Sequence, residues 1–482
     1  MPDYPLHHGI PLVLLGLSLA WYQYHLAHTV PQPYMDEPFH VPQARRLCQT
    51  GSLLPYDPKL TTPPGLYLVS TAILLPLRLL LQPWVNNLSS WICNTTALRV
   101  TNAFLAVGLY LALVWHMRLQ TSPSSPRPAS LGSRVWIALA VTSFPTLYFF
   151  HGLYYTDTGS ALCVLLAYSL ARQKKTVASA ALAGLAILFR QTNVVWVLLL
   201  ALEALHSSLS SLQPSLVKLT HLDQPACKLS PSQVLHDLSS LAHTILLPPC
   251  SLLFRQILFI LLPYMGVLVA FVAFLIWNNG IVLGDRSNHI AGIHLPQFLY
   301  YFTFLTLATA PTSLRPSSLV KHLRWALHSP IHYLLASLII SAAIYHSTLA
   351  HPFLLSDNRH FTFYLWRWVL ARPLFRYALV PVYVFSIWHC FRSLAARATY
   401  LWCIGYFLCT AIILIPSPLI ELRYFTIPYL LARIQLGYKR PGVLALLLEL
   451  CMDFAVNLAT IHFFLNHPFT WPDHHELQRF MW

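Results

Sequence analysis

An all-α protein that crosses a membrane many times is the fold class this sequence predicts, and three observations carry that reading. Charged residues make up 9% of the chain against 56% hydrophobic ones, where a soluble domain carries roughly 25% charged residues. Apolar runs of bilayer length recur along almost the whole chain, and the mean hydropathy is +0.56. The runs are unbroken rather than alternating, which excludes the two-residue period of a membrane β-barrel and leaves helices.

The elements follow in order. Residues 9–29 form the first span, and without an Ala-x-Ala-like exit site they read as a retained anchor. Further candidate spans are 97–117, 134–152, 157–172, 177–190, 193–205, 256–278, 296–312, 330–349, 373–391, 398–416, 424–436 and 442–465, for an expected total of about 12–14 helices in one membrane-embedded domain, 1–482. Residues 177–190 and 193–205 are short, and are expected to be half-length helices meeting inside the bilayer at Arg190-Gln191-Thr192-Asn193. The apolar stretch 64–82 opens with Pro63-Pro64-Gly65 and carries Arg78. If it dips in and returns, every basic cluster falls on one face: the loop 118–134, Arg172 with Lys174 and Lys175, Arg315 with Lys321 and Arg324, Arg392 with Arg397, and Lys439 with Arg440. The positive-inside rule makes that face cytosolic, the N-terminus cytosolic, and 64–82 a re-entrant or surface segment within a first lumenal loop, 30–96. The loop 206–250, rich in Ser, Leu and His, reads as a poorly ordered cytosolic insertion.

The net charge of +15 does not point to nucleic acid, because the Lys and Arg are dispersed in short clusters between spans. Membrane lipids are the expected partners of such clusters. Nine cysteines show no CxxC or Cys/His metal spacing. Cys48 and Cys93 both fall in the first lumenal loop and could pair. The sequons at Asn87 and Asn94 lie close to the membrane on the same side.

Four polar constellations collect on the lumenal face. The first is Asp36-Glu37 with His40, directly after the first span, in a chain holding only fifteen Asp and Glu. A carboxylate within hydrogen-bond reach can take the proton from a sugar hydroxyl as a glycosidic bond forms. Consecutive side chains point apart, so one of the pair is expected to act as base and the other to orient the loop. A solvated membrane-edge loop is the competing reading. The second constellation is Gly284-Asp285-Arg286-Ser287, the third Asp357-Asn358-Arg359-His360, and the fourth Glu421-Leu422-Arg423-Tyr424. Three arginines at one membrane face suit a phosphate at headgroup level, since the planar fork grips phosphate oxygens in pairs. Structural ion pairs or snorkelling side chains are the alternative. Asp157, before the span 157–172, reads either as an N-cap or as part of a polar network.

No P-loop, HExxH, GxSxG or dinucleotide fingerprint is present. An activated sugar would therefore arrive as a lipid phosphate. Another polyprenyl-phosphate-sugar transferase is the rival enzyme reading, and a transporter or channel regulator is the rival class, disfavoured by the lack of internal repeats and by polar motifs outside the bilayer midplane.

The strings Tyr34-Met35-Asp36-Glu37-x-Phe39-His40, Thr61-Thr62-x-Pro64-Gly65-Leu66-Tyr67, Phe189-Arg190-Gln191-Thr192-Asn193, Asp357-Asn358-Arg359-His360 and Glu421-Leu422-Arg423-Tyr424-Phe425 resemble those of the endoplasmic-reticulum dolichyl-phosphate-glucose-dependent α-1,2-glucosyltransferases. The tail Gln478-Arg479-Phe480-Met481-Trp482 is similar too. The likeness runs end to end, loosening in 206–250 and at Asn288–Ala291. It implies a GT-C-type transferase in the endoplasmic reticulum membrane with a lumenal active site. The donor would be dolichyl phosphate β-glucose, and the acceptor the dolichyl-diphosphate oligosaccharide already carrying two glucoses. On that footing Asp36 or Glu37 is catalytic, Arg359, Arg423 and Arg286 hold the donor phosphate, and His40, Asp157, Asp357 and His360 orient the acceptor or the loops. A phosphate clamped by arginines leaves without a metal, so neither metal nor cofactor is expected.

Overall fold

The computed structural model describes residues 6–81, 92–119, 131–246, 252–286, 290–437, 442–472 and 474–482. Arg127, Lys439, Arg440, Asn87 and Ser287 lie outside the described residues.

The chain is helical almost throughout. In order the main helices are α1 (Leu6–Thr29), α2 (Glu37–Thr50), α3 (Gly65–Leu81), α4 (Thr95–Leu119), α5 (Leu131–Thr142), α6 (Pro145–Gly152), α7 (Asp157–Arg172), α8 (Thr176–Phe189), α9 (Trp196–Leu212), α10 (Pro231–Leu246), α11 (Leu252–Asn278), α12 (Pro296–Ala308), α13 (Pro316–His328), α14 (Pro330–Ser347), α15 (Val380–Ala395), α16 (Tyr400–Leu414), α17 (Thr426–Leu436) and α18 (Val443–Asn466). A short antiparallel hairpin, β1 (Phe469–Trp471) with β2 (His474–Gln478), follows.

Among the described residues seven helices are long and apolar enough to cross a membrane, or eight if the bent pair α5–α6 is one span. Three shorter apolar helices, α3, α8 and α16, join them, and the candidate spans 157–172, 296–312 and 424–436 form α7, α12 and α17 of 16, 13 and 11 residues. This is a polytopic all-α membrane protein. Its core is one continuous cluster drawn from α1, α4 to α9, α12 and α15 to α18. Small residues suit a close approach of the central pair: Ala161, Ala167 and Ala171 on α7 and Ala180, Ala183 and Ala186 on α8 are all buried, and Ser179 Oγ of α8 donates to the Ala167 carbonyl (2.7 Å). By contrast α11 is buried over only 17% of its most apolar window, as a helix bathed in lipid is.

Two expectations change. Within 206–250 the described residues, 206–246, are ordered: α9, α10 and the segment between them close a second small core of Leu209, Leu216, Val217, Leu222 and Leu241 against Ile257, Tyr400 and Leu401. Leu-rich amphipathic spacing outweighs the loop-like Ser and His content. Nor do α8 and α9 meet as two intramembrane halves. Arg190 is extended (φ −150°, ψ 122°) and turns the chain, and with a 3-10 turn at Gln191–Val195 the second helix reaches 22 residues. Asn193 satisfies the opened backbone by donating to the Ala186 carbonyl and to Ser160 Oγ, both at 2.7 Å.

α3 is anchored at its start on α8 and near its end on α2. Gly65 packs so tightly on the Leu188 backbone that a Cβ there would collide with it, and Arg78 donates to the Cys48 carbonyl (3.0 Å). Cys48 and Cys93 are disulfide-bonded, fastening α2 to the start of α4. Asn94 caps α4 through its side-chain oxygen, which accepts from the Ala97 N–H (2.8 Å).

Candidate active site

The two consecutive carboxylates of the first loop have opposite environments. Met35 stands in the left-handed region (φ 59°), a costly conformation for a non-glycine residue. It swings the chain so that Asp36 takes the N-cap place of α2 and Pro38 its first turn. Asp36 makes no side-chain cap bond, and its backbone N–H donates to the Tyr155 hydroxyl (3.1 Å). Its carboxylate, 43% exposed, is left facing a cavity. Glu37 is fully buried. It accepts from Arg99 through a two-pronged ion pair (Nε at 2.8 Å), from the Tyr34 N–H at 2.9 Å and from the Tyr154 N–H at 2.7 Å. The candidate catalytic pair thus divides. Glu37 has no face toward the cavity and pins the first loop to α4 and to the turn before α7.

The cavity is about 570 Å³ and contains, besides Asp36, the guanidinium groups of Arg190, Arg359 and Arg423 and the ammonium of Lys59. Every guanidinium is held by a carboxylate. Arg423 reaches Asp36 at 3.3 Å, Glu421 at 3.2 Å and Asp157 at 3.9 Å, with its plane against Phe150 and Tyr155. Arg190 bonds Asp157 (2.9 Å) and Thr156 (3.0 Å). Arg359 forks onto Asp357 (2.7 and 2.8 Å) and lies over the Trp471 ring. Asp157 is 2% exposed and behind the cavity wall, so it orients two arginines rather than an acceptor. Paired in this way, the forks are aimed before any ligand arrives.

Burial would raise the Asp36 carboxyl, but Arg423, with His40 and His360, outweighs it and holds Asp36 below its ordinary value. Burial drives His40 down to about 4, so its ring is neutral, and its Nδ1 shares a 2.6 Å hydrogen bond with the Tyr67 hydroxyl. Burial likewise opposes the Asp357 charge, and the Arg359 hydrogen bond overcomes it and lowers the pKa.

The tail closes one side of the site. Gln478 Oε1 accepts from Arg359 Nη1 (2.9 Å), and the Met481 N–H donates to the Arg359 carbonyl (2.8 Å). His360 Nδ1 is 2.6 Å from the Trp482 carbonyl. Tyr34, two residues before Asp36, accepts at its hydroxyl from the Arg479 N–H (2.7 Å). Arg286 is a correction. It does not line the cavity, because its guanidinium turns back onto the carbonyls of Asn278, Asn279 and Val282 at the end of α11. Unsatisfied carbonyls at a helix C-terminus attract such a cation.

The profile of the DIE2/ALG10 family matches residues 30–434. The chain belongs to the DIE2/ALG10 family. Curated relatives carry the name Dol-P-Glc:Glc(2)Man(9)GlcNAc(2)-PP-Dol alpha-1,2-glucosyltransferase. The rat protein is 36% identical over 456 residues, covering 94% of this chain and 93% of its own. Those of Arabidopsis thaliana (35%, covering 94% and 96%) and Drosophila melanogaster (32%, covering 93% of each) are similar. No solved structure matches the chain.

In this DIE2/ALG10 family chain, sequence reasoning passed over Arg99, Tyr155 and Gln478. Arg99 carried a usable signal, a cation inside the apolar run Leu98–Leu113, which in a membrane helix demands a buried partner. Tyr155 carried none, and Gln478 stood in the tail string with nothing there to show that it meets Arg359.

Proposed function

We propose that this chain transfers glucose from dolichyl phosphate β-glucose to the terminal glucose of Glc2Man9GlcNAc2-diphosphodolichol in α-1,2 linkage, with Asp36 as general base. The observation that carries this reading is Asp36, the most exposed of the cavity's three carboxylates, set among three aimed guanidiniums. The acceptor 2-hydroxyl oxygen attacks the anomeric carbon from the face opposite the phosphate, and Asp36 takes its proton. The bond from carbon to phosphate oxygen breaks, and dolichyl phosphate leaves with the electron pair. The β donor becomes an α product by inversion.

Arg423 and Arg359, with Arg190 in place of Arg286, hold the departing phosphate, whose charge grows as the bond breaks. A phosphate entering beside Arg423 takes over contacts now made to Asp36, and this frees the carboxylate for the hydroxyl. His40 orients the loop as a neutral ring, and Asp357 and His360 set Arg359. An apolar groove of about 700 Å³, lined by Pro63, Ile187, Leu188, Phe271, Phe274 and Trp277, adjoins the cavity and shares Leu60 and Gln191 with it. It suits the donor's prenyl chain, so a polar head and an apolar tail find adjoining sites.

The cavity faces the lumen of the endoplasmic reticulum. Supporting this are the disulfide between α2 and the start of α4 and the basic clusters at the far ends of the helices. The test is purified protein given dolichyl-phosphate-glucose and a synthetic two-glucose acceptor, with the new linkage mapped. An α-1,2 product on the terminal glucose is expected, and any other linkage or donor preference overturns the reading.

A further inference from the structure

We propose that α13, with the adjacent end of α15, forms a binding surface for anionic phospholipid headgroups on the face of the bundle opposite the cavity. The placement follows from the helices that flank it. At the start of α12, the Gly292 and His294 N–H groups donate to the Pro416 and Ile415 carbonyls, and Gln297 donates to Leu419, a cavity residue. The end of α14 leads to Phe353 and Leu354, also in the cavity wall. The helix α13 joins the other ends of α12 and α14, and so lies on the far side.

The helix has three faces. His322 and Trp325, one turn apart, pack inward, with His322 against Tyr333, Phe385 and Trp388 and Trp325 against Tyr333 and Trp388. Leu319, Leu323 and Leu327, spaced four residues apart with Val320 beside them, are 47–79% exposed and have no protein to cover them among the described residues. Lys321, Arg324 and His328 form an exposed third face. Arg392 joins it from α15, lying over the ring of Trp388, which itself stacks on Trp325. Arg315 precedes the helix and is exposed as well.

Two further facts select the occupant. Between Asp285 and Asp357 the sequence contains no Asp or Glu. None of Arg315, Lys321, Arg324 and Arg392 has a carboxylate at ion-pair distance among the described residues. An uncovered leucine row beside unpaired cations is the pattern of a helix lying in the membrane interface. Its apolar face sinks to the acyl boundary while its cations meet negative headgroups. A water-facing loop would leave four large apolar side chains wet, and a membrane-spanning helix would bury the cations in hydrocarbon. The interface satisfies both faces.

The test uses the full-length protein in phosphatidylcholine nanodiscs doped with phosphatidylserine, with retained lipid counted by native mass spectrometry. Wild type is expected to retain phosphatidylserine above its share of the disc. The variant K321Q/R324Q/R392Q loses that preference by roughly fivefold for each cation removed, and R324Q alone shows one such step. A control, K218Q/K228Q, removes exposed cations outside the basic clusters and leaves the preference intact. Glucosyl transfer in pure phosphatidylcholine is expected to be unchanged in all three, which verifies folding. An unchanged preference in the triple variant overturns the proposal. An equal loss in the control also overturns it, because net charge rather than this surface would then select the lipid.

Discussion

Asp36 and Glu37 are neighbours in sequence, each is paired with an arginine, and they have opposite fates. Glu37 is sealed against Arg99 with four donors on its two oxygens, including two backbone N–H groups. Asp36 shares one arginine with two other carboxylates and keeps an open side toward the cavity. A fully satisfied buried pair fixes geometry but has no capacity left for chemistry. A partly satisfied carboxylate beside a cation can still accept a proton. Charge type alone separates neither residue, and the count of donors does.

The largest effects come from breaking this contrast directly. Asp36→Asn is expected to lower turnover at least about 100-fold while leaving thermal stability near that of wild type, since its cap bond is absent already. Glu37→Gln is expected to do the reverse, costing about 3–5 kcal/mol of stability with residual turnover in whatever protein remains folded. Turnover per folded molecule together with a melting curve separates them. A stable but inactive Glu37→Gln would exchange the two roles.

Next come the arginines of the cavity. Arg359→Lys and Arg423→Lys keep the charge but lose the fork, so donor KM is expected to rise and kcat to fall, together about tenfold or more, with acceptor KM nearly unchanged. Steady-state kinetics in each substrate measure this, and unchanged donor kinetics in both variants would make the residues structural.

A subtler effect is on pH. Because Arg423 outweighs burial and holds Asp36 low, the base is ionised above that lowered pKa and activity is lost only as pH falls through it. The acid limb of kcat/KM should therefore lie below the ordinary carboxylate range. Arg423→Gln removes the largest lowering influence and moves the limb upward, whereas Arg423→Lys leaves it in place. A limb that does not move in Arg423→Gln would detach the base from Arg423.

The smallest expected change is at the tail. Gln478→Ala removes one hydrogen bond to Arg359, for a several-fold rise in donor KM and little change in kcat, the scale of a bond worth about 1 kcal/mol. A proportional loss in kcat instead would mean that the tail shapes the transition state.

Features that depend on local composition are legible along the chain. The helical membrane class follows because a bilayer forbids unpaired backbone, so apolar run length specifies the element. The acid and arginine constellations were equally legible, because charges are too scarce here to be incidental. The tertiary structure alone decided which of them meet. Arg423 reaches Asp36 across 387 residues of chain and Gln478 reaches Arg359 across 119, and no local pattern encodes such contacts. Arg286 stands close to an acid in sequence, as Arg359 and Arg423 do, but is drawn to the carbonyls at the end of α11. Glu37 became structural because Arg99 and two backbone N–H groups converge on it from α4 and the turn before α7. Order in 206–246 was missed for the same reason: its leucines have a partner only because α11 and α16 bring Ile257 and Tyr400 to them. Residue type limits what a side chain can do, and the neighbours that folding supplies decide which of those things it does.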